Sequence, residues 1–389
     1  TAMVSRRKFI RIMGAGGAVA ALTAGGGYWA MTRGAMPDSA VAPWRAPGQG
    51  IDDPRIRAAA HALLAPNPHN MQPWLLRLEG DDALTLHVDL DRLLPETDPP
   101  GRQILIGHGT FLEIYRMAAA ESGHRAEIEL LPEGPFAPER LDGRPVARIR
   151  LVRDPGVVRD PLFAAVAVRR SNKETYDTAH PVTDGELAAL TGPGLHGARV
   201  MGSNDPALRP VLRDLMEAGL RREIETPRTF RESIDLMRLG PEEIARNPDG
   251  IELAGPMIWW GTRLGFVSRE AIATPGTESF QIGLDMARDQ AQTAMGFAWV
   301  VSPDNSRLSQ IRAGMDYVRL NLQATASGVA LHPMSQLLQE YPEMADLQAR
   351  LLDTLAVEPP AHVQMLVRLG HAAAPGPTPR RPVAAIVGA

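Results

Sequence analysis

Apolar residues recur at helical spacing in four stretches of the chain. The first runs from Pro54 to Leu64, and Pro66 follows it, at a point where the proline ring cannot continue the helical hydrogen-bond ladder. The other three stretches predict helices at 102–122, 162–171 and 307–327. Short apolar runs between them predict strands at 74–78, 84–88, 126–131, 146–152 and 363–369. Helices interleaved with strands in this way indicate an α/β organisation.

The pattern divides the chain into two helix-and-strand segments. Residues 1–42 and a linker at 43–51 precede a first segment at 52–155, and the second segment covers 156–389 and ends in a tail. Within the second segment, a long insertion at about 225–290 is charged at first and then bulky and apolar, with recurring glycine and proline. Such an insertion is either a lid over a site or a structural excursion.

The composition of the chain argues against several kinds of functional site. The 389 residues carry a net charge of −4 and no stripe of basic and aromatic residues, so no nucleic-acid surface is predicted. There is no cysteine, which excludes disulfides, thiolate nucleophiles and cysteine-ligated zinc or iron–sulfur clusters. The ten histidines show no metal-ligand spacing, and we expect no metal site.

The N-terminal residues have the pattern of an export signal. Ser5-Arg6-Arg7-Lys8-Phe9-Ile10 is a twin-arginine signature, and a Gly/Ala-rich apolar run follows at 12–31. This pattern predicts that the twin-arginine translocon exports a folded, cofactor-carrying protein to the periplasm or the outer face of the cytoplasmic membrane. Ala40-Val41-Ala42 has the form of a cleavage site, but Pro43 would follow the cut and disfavours the peptidase. The run of about twenty residues is therefore either a cleaved signal or a retained membrane anchor.

One loop is the strongest candidate for chemistry. It reads Ala65-Pro66-Asn67-Pro68-His69-Asn70-Met71-Gln72-Pro73-Trp74. Prolines make this asparagine loop stiff, and its amide side chains can hydrogen-bond the edge of a planar heteroaromatic ring. An ordinary helix-to-strand turn is the alternative.

Three further motifs are weaker signals. Arg169-Arg170-Ser171-Asn172-Lys173 places three cations and a hydroxyl within five residues, a set that can neutralise a phosphate and hydrogen-bond a polyol. Pro379-Arg380-Arg381-Pro382 lies in the C-terminal tail. Gly328 ends the last long helix, and the loop after it, through Leu331-His332-Pro333-Met334, can present backbone N–H groups to a ring. Each motif also has a structural interpretation, as a solvated face, a solubilising end or a plain turn.

In this order the four motifs resemble those of the FMN-dependent nitroreductase superfamily, in particular its twin-domain, Acg-like branch, which often carries twin-arginine signals. Ala65–Trp74 is similar to the family's A-P-S-x-x-N-x-Q-P-W loop, and Arg169–Lys173 is similar to its R-R-S-x-[RK] motif. The resemblance spans about residues 52–385. It implies an α+β, three-layer α/β fold of the nitroreductase type, and FMN as the cofactor.

The division of the motifs between the two segments implies an internal pseudo-dimer. Ordinary nitroreductases resemble intertwined homodimers in which both chains touch each flavin. Here the first half has the asparagine loop and the second half has the R-R-S motif. The resemblance therefore implies two fused halves with one complete flavin site per chain, which needs no homodimerisation.

The resemblance also implies a role for each site residue. The residues expected to hold the phosphate and the ribityl chain are Arg169, Arg170, Ser171, Arg380 and Arg381. Lys173 would approach the N1/O2 edge of the ring, where a cation stabilises reduced flavin. The ring would pack on and hydrogen-bond the loop residues Pro66, Asn67, Pro68, Asn70 and Gln72. The residues expected near N5 are Leu331, His332, Pro333 and Met334.

Two departures from the family pattern put ordinary NAD(P)H-driven nitroreduction in doubt. Asn67 and Pro68 replace small serines, and Ala330-Leu331-His332-Pro333 replaces an acidic residue with glycine, or a G-L-G run, near N5. His332 is a candidate proton donor, with a packed loop histidine as the alternative. No other residue is assigned a catalytic role, because the cofactor itself performs hydride transfer.

Different functions follow from these motifs. The first is an exported FMN oxidoreductase that reduces a nitro, quinone or similar electron-poor small molecule by two electrons, with a membrane quinone or a redox partner protein as alternative electron donors. The second is a non-turnover protein that binds or sequesters FMN beneath a lid. A third is a structural pseudo-enzyme without flavin.

Overall fold

The computed structural model describes residues 34–388. The twin-arginine signature and the apolar run at 12–31 lie outside these described residues. Within the described part of the chain, no helix combines the length and the apolar character that crossing a membrane requires.

The first half is a four-stranded antiparallel sheet with three helices. Its elements are α1 (Asp38–Arg45), α2 (Pro54–Ala62), β1 (Trp74–Glu79), β2 (Ala83–Val88), α3 (Arg102–Glu121), β3 (His124–Leu130) and β4 (Pro145–Arg153). The strand order in the sheet is β1-β2-β4-β3. The predicted helices near 54 and 102 and the four predicted strands are confirmed, although the first helix ends at Ala62, before Pro66.

The second half contains a five-stranded antiparallel sheet and a large helical insertion. It opens with α4 (Asp184–Leu190), β5 (Gly192–Pro193), β6 (Arg199–Ser203), α5 (Leu208–Glu225), α6 (Pro227–Asp235), β7 (Met237–Leu239), α7 (Pro241–Arg246) and β8 (Ile251–Leu253). It continues with α8 (Pro256–Arg263), α9 (Arg269–Ala273), α10 (Glu278–Gln292), β9 (Gly296–Ser302), α11 (Arg307–Ala326), β10 (Ala330–Pro333), α12 (Ala345–Leu355) and β11 (His362–Gly370). The strand order is β10-β11-β9-β6-β5, and β7 and β8 form a separate parallel pair.

The two halves share one topology. Without the two-residue strand β5, the order β6-β9-β11-β10 repeats β1-β2-β4-β3, each strand having a counterpart. In each half a helix of 20 residues connects the second strand to the third, and each helix begins with an arginine. A mixed α+β fold, with helices packed on two sheets, is therefore built from two equivalent units.

The two long helices pack against each other through a pair of glycines. A Cβ atom added at Gly109 of α3 would lie 2.0 Å from the carbonyl oxygen of Ile311, and one added at Gly314 of α11 would lie 2.1 Å from that of Ile106. The contact is reciprocal, as in a two-fold symmetric dimer interface. Only glycine permits this approach, because any side chain would meet backbone atoms.

The hydrophobic core crosses the boundary between the halves. Ile311, Met315 and Val318 of α11 belong to the core cluster of the first half, together with Leu86 and Ile149 of its sheet. Ile106 of α3 belongs in turn to a core cluster of the second half. Since each long helix fills space in the opposite core, the halves form one packed unit.

The insertion lies between the first two strands of the second half. In the first half a three-residue turn at 80–82 joins β1 to β2, whereas in the second half the corresponding connection runs from 204 to 295 and contains α5–α10. The predicted start near 225 is therefore too late, because α5 already belongs to the excursion. Its own small core contains Phe230, Ile234 and Phe280.

Three predictions of local structure are wrong. Residues 162–171 do not form an α-helix: a 3₁₀ turn at Pro161–Ala165 is followed by irregular chain, because Arg170 Nη1 bonds backward to the carbonyls of Ala167 and Arg169 and the chain then extends. The stretch 43–51 is not a free linker, since its first residues belong to α1 and Trp44 is 5 % exposed. The segment Ala330–Pro333 is a strand, not a loop.

Candidate functional site

The asparagine loop adopts a strained backbone. A short 3₁₀ turn covers Pro68–Asn70, and His69, Asn70 and Gln72 have φ values of 47°, 53° and 51°. Left-handed backbone costs most residues other than glycine about 1 kcal/mol, and it persists where the surroundings hold it. Thr110 Oγ1 of α3 donates to the Pro66 carbonyl at 2.7 Å and fixes the start of the loop.

The amide side chains of this loop are already paired inside the protein. Asn67 Oδ1 accepts from the Gln72 backbone N–H at 2.7 Å, and Asn70 Oδ1 accepts from Arg380 Nη1 at 2.6 Å. Gln72 is fully buried, donates to the Pro248 carbonyl and accepts from the Arg381 N–H. The interpretation of these amides as unpaired groups that grip a ring is therefore wrong: they hold the loop, the tail and the insertion together.

The insertion rests on the backbone of the loop. Gly250 N–H donates to the Asn70 carbonyl at 3.1 Å, and Asp249 pairs with Arg92 Nη1 at 2.6 Å. Glu232 of α6 accepts hydrogen bonds from the backbone N–H groups of Glu96 and Thr97. The insertion therefore covers one side of the loop through polar contacts.

Arg169 is buried with an incomplete set of partners. Its Nη2 donates to the Leu64 carbonyl at 2.8 Å, whereas Nε and Nη1 are buried without a hydrogen-bond partner. Burial lowers the pKa of its guanidinium to about 10. A buried cation with two unused donors is costly unless an anion completes it.

The tail brings Arg380, rather than Arg381, to the same place. Arg380 Nε donates to the Leu63 carbonyl at 2.8 Å, and burial, together with the nearby Arg169, lowers its pKa to about 9. Arg381 points elsewhere, with Nη1 at 3.1 Å from the Gln72 carbonyl and Nη2 at 2.7 Å from the Ala385 carbonyl. Of the two tail arginines that were expected at the phosphate, the structure therefore places only Arg380 beside Arg169.

Three guanidiniums surround the indole of Trp44. The ring centroid lies 4.3 Å from the guanidinium carbon of Arg170, 5.0 Å from that of Arg380 and 5.7 Å from that of Arg169. We call Trp44, Arg169, Arg170 and Arg380 the Trp44 cluster. Between residues 34 and 388, none of its three arginines forms an ion pair with a carboxylate, although 29 other ion pairs occur there.

A cavity of about 640 Å³ opens beside the Trp44 cluster. The polar and aromatic side chains in its lining are Trp44, Arg45, Arg170, Glu174 and Glu252. Within the described residues, no group of three or more histidine or acidic side chains is placed to hold a metal ion.

The exposed side chain of Lys173 lies between the asparagine loop and strand β10. Its charge lowers the pKa of both His69 and His332, although burial is the larger cause in each case. The pKa of His69 falls to about 4, and its Nδ1 is buried without a partner. The structure thus brings the loop of the first half and the cationic motif of the second half to one place.

Strand β10 holds the residues that were expected near the flavin N5. Leu331 and Met334 are buried in the core clusters, Pro333 and Ser171 are half-buried, and the Leu331 carbonyl accepts from the Asn172 N–H at 2.8 Å. The predicted loop of free N–H groups is thus replaced by an edge strand that pairs with β11 on one side and contacts the cationic motif on the other.

His332 is neutral in this environment. Arg368 Nε donates to its Nδ1 at 3.0 Å, so the remaining ring hydrogen is assigned to Nε2. Burial and the two nearby cations, Arg368 and Lys173, hold its pKa well below its ordinary value. This environment agrees with the alternative of a packed histidine, and the ring can offer a hydrogen bond through Nε2.

Sequence reasoning missed Arg368 and Trp44. Arg368 is fully buried, lies 3.9 Å from the Tyr176 ring centroid, and donates to the carbonyls of Asn172 and Glu174, which flank Lys173. A single cation in the apolar strand at 362–370 was the available signal. Trp44 gave a weaker signal, as a large aromatic in a stretch interpreted as linker.

The comparisons with known proteins found sequence relatives that carry nitroreductase names, together with one named as uncharacterized. No family model matches the chain. The chain is 27% identical over 347 residues to acg of Mycobacterium tuberculosis, which bears the provisional name NAD(P)H nitroreductase, and the match covers 83% of this chain and 91% of acg. It is 26% identical over 342 residues to Rv3131 of the same organism, similarly named, with 84% and 88% covered.

Solved structures similar to this one are also described as nitroreductases. One from Anabaena variabilis has a TM-score of 0.43 at 10% identity and covers 85% of this chain and 91% of its own. An FMN-bound one from Bacteroides fragilis has a TM-score of 0.33 at 13% identity, with 57% and 94% covered. The sequence relatives support a place for this chain in the nitroreductase superfamily.

Proposed function

We propose that this protein is an FMN-dependent oxidoreductase of the nitroreductase type, which reduces a nitro, quinone or similar electron-poor molecule by two electrons. The observation that carries the proposal is the buried Arg169, whose Nε and Nη1 lack partners, in a cluster of three arginines without a carboxylate ion pair within residues 34–388. The names of acg and Rv3131 point to the same activity.

The residues present fit the phosphate of FMN. A phosphate offers several acceptor oxygens and two negative charges, and guanidinium forks are the side chains best matched to it. Arg169 and Arg380 would hold the phosphate, with the unpartnered Nε of Arg170 beside them. The unpartnered Nε and Nη1 of Arg169 and Nε of Arg170 are donors that this anion can use, whereas Arg380, whose donors all bond to the protein, would contribute its charge.

The residues around Lys173 fit the flavin ring. When bound, FMN supplies hydride chemistry at its own N5. Lys173 would place a positive charge at the ring, Arg368 would hold the backbone on both sides of Lys173, and neutral His332 would offer its Nε2 hydrogen. The asparagine loop would form a stiff wall, because its amides are tied to Arg380, Arg381 and Pro248.

We also propose one flavin site per chain, formed between two fused halves. The repeated strand order and the reciprocal contact of Gly109 and Gly314 support a fused dimer. The connection between α4 and β6 in the second half corresponds to the asparagine loop but contains no similar motif. Homodimerisation is therefore not needed to complete the site.

Export by the twin-arginine pathway, with the N-terminal segment retained, is a further part of the proposal. A cut after Ala42 would remove Ala40 and Val41, which are 1 % and 6 % exposed, and would remove the Ala40 carbonyl that accepts from the Arg380 N–H at 2.8 Å. This packing favours an uncleaved anchor over a cleaved signal. The intact mass of the protein from the cell envelope tests this point.

The activity test begins with the full chain loaded with FMN. The proposal expects a yellow protein with one FMN per chain that is bleached by NAD(P)H, a reduced quinone or a reduced electron carrier and recoloured by a nitroarene or quinone. Stopped-flow absorbance under anaerobic conditions measures both half-reactions. If no donor bleaches the flavin except dithionite, turnover is excluded.

A second candidate function is FMN binding without turnover. The observation that favours it is the polar contact of the insertion with the asparagine loop, at Gly250–Asn70 and Gln72–Pro248. In that case the protein is yellow and holds FMN, but neither a donor nor an acceptor changes its spectrum quickly. A colourless protein that does not bind added FMN would instead support a pseudo-enzyme.

A further inference from the structure

The side chain at the centre of the cationic site is an aromatic ring rather than a carboxylate. Trp44 lies within 5.7 Å of all three guanidinium carbons and is 5 % exposed. Its Nε1 donates to the Thr378 carbonyl at 2.8 Å, which fixes the plane of the ring. The indole comes from α1, which precedes the first sheet, and no motif of the sequence marked it.

Three neighbouring cations repel one another, and something must hold them together. Arg169 and Arg170 each lower the pKa of Arg380, and Glu252 offsets this effect without an ion-pair contact. A carboxylate in the cluster would bind the arginines but would also cancel the charge that attracts an anion. The negative face of an indole attracts guanidiniums and leaves their charge available.

We propose that Trp44 is a positioning residue of the cofactor site, which holds Arg169, Arg170 and Arg380 around one indole so that they are preorganised for the phosphate of FMN. This inference rests on the proposed function and adds helix α1 to the cofactor-binding residues. Because preorganised donors lose less freedom when the ligand binds, loss of the indole should weaken binding of a phosphorylated flavin selectively.

The test compares binding of FMN and riboflavin to the full chain by fluorescence titration. Riboflavin has the same ring and ribityl chain but no phosphate. Cation–π contacts contribute about 0.5–2 kcal/mol each, so Trp44→Leu should weaken FMN binding by about 10- to 100-fold. Riboflavin binding should change by less than about threefold, and Trp44→Phe, which keeps an aromatic face, should remain within about threefold of wild type for both ligands.

Trp299→Leu is the matched control for loss of a buried tryptophan. Trp299 is also 5 % exposed, but it lies among apolar side chains of the second half. We expect Trp299→Leu to lower the melting temperature without changing the ratio of the affinities for FMN and riboflavin. If Trp44→Leu weakens both flavins equally, or if Trp44→Phe is as defective as Trp44→Leu, Trp44 is only structural and the inference is overturned.

Fluorinated tryptophan keeps the test valid if Trp44→Leu does not fold. Fluorination reduces the negative potential of the indole face with little change in shape. Incorporation of 5-fluorotryptophan should weaken FMN binding severalfold in the wild-type sequence but not in Trp44→Phe, and an equal effect in both would contradict the inference. Wild-type protein that binds neither flavin would instead reject the proposed function, and the role of Trp44 with it.

Discussion

The two halves of this protein have the same sheet topology but contribute differently to the candidate site. In the first half, α2 leads to β1 through the strained loop that carries Asn67, Asn70 and Gln72. In the second half, α4 leads to β6 through the short β5 hairpin, whose His196 and Ala198 N–H groups donate to Asp316. One connection binds the tail and the insertion, whereas the other bonds to the two long helices, through Asp316 of α11 and Glu113 of α3.

The long insertion shows the same asymmetry. A three-residue turn suffices between β1 and β2, while the equivalent connection between β6 and β9 contains six helices. The scaffold therefore tolerates a large change at one strand connection because the shared core, built around α3 and α11, does not depend on it. The candidate site lies where loops of the two halves meet.

The largest predicted effect comes from variants that break the contact between the two long helices. Gly109→Ala and Gly314→Ala should each lower the free energy of unfolding by about 3 kcal/mol or more, because the new Cβ would meet a backbone oxygen near 2 Å and the helices would have to separate. Urea denaturation measures the loss. The matched control, Gly283→Ala in α10, has nothing within 4 Å of the new atom and should gain about 0.5–1 kcal/mol.

The reciprocal contact of the two glycines leads to a second expected result. Because each glycine meets the carbonyl of the other helix at nearly the same distance, the two alanine variants should be destabilised to a similar degree. A cost below 1 kcal/mol in either variant would show that the helices are not held by this contact.

The next prediction concerns a double variant that removes two cations of the R-R-S motif in the second half. Arg169→Ala combined with Lys173→Ala should weaken FMN binding by at least about 100-fold with the fold retained, because hydrogen bonds to charged groups contribute about 1.5–3 kcal/mol each. Flavin absorbance of the purified protein measures the FMN content, and the far-ultraviolet circular dichroism spectrum measures the fold. Arg125→Ala, on the exposed strand β3, is the control, and unchanged FMN content in the double variant would reject the assigned site.

Two variants, one at each of the two corresponding connections, test whether only the asparagine loop contributes to FMN binding. Asn70→Ala removes the acceptor of Arg380 and should weaken FMN binding by about tenfold. Asp316→Asn removes an acceptor from His196 and Ala198 and should lower stability by about 1–2 kcal/mol with FMN affinity unchanged. Isothermal titration and urea denaturation of both variants test the contrast, which fails if Asp316→Asn also weakens FMN binding.

The smallest predicted effect is the change of stability with pH, to which the two long helices contribute differently. Burial lowers the pKa of His108 in α3 to about 4, while α11 has Ala313 at the corresponding position. A depressed histidine pKa stabilises the fold above pH 6.5 and loses that contribution as the pH falls toward 4. Burial also lowers the pKa of His362 to about 4, so His362 likewise contributes less stability as the pH falls.

Asp98 at the N-terminus of α3 acts in the opposite direction. Burial raises its pKa to about 7, so its protonation favours the folded state as the pH falls from 7 toward 4. The loss of stability between pH 7 and pH 5 should become steeper by about 2 kcal/mol in Asp98→Asn, which retains one of the two oxygens that accept from N–H groups of the helix. Urea denaturation at pH 7, 6 and 5 measures both slopes, and equal slopes would contradict the assigned pKa of Asp98.

The sequence predicted the regular elements where local signals agreed. The periods of apolar residues placed α3, α11, β1–β4 and β11 within a few residues of their observed ends, because burial of one face enforces that period. They did not predict β6 and β9. The prediction failed at 162–171, where an apolar spacing looked helical but the arginines bond to nearby carbonyls and the chain extends toward β10. Long-range pairing of Asn172 with Leu331 outweighed local propensity there.

The sequence named most segments of the candidate site, but neither Trp44 and Arg368 nor the arrangement of the side chains. Motif order indicated that Asn70, Arg169, Lys173 and the tail arginines would meet, and contacts through Leu64, Arg380 and His69 bring their segments together. The sequence by itself determined which residue types are available, since side-chain chemistry and apolar period are local properties. Only the tertiary structure decided that the amides pair internally, that Arg380 rather than Arg381 joins the cluster, and that Trp44 lies at its centre, because these outcomes depend on contacts between residues hundreds of positions apart.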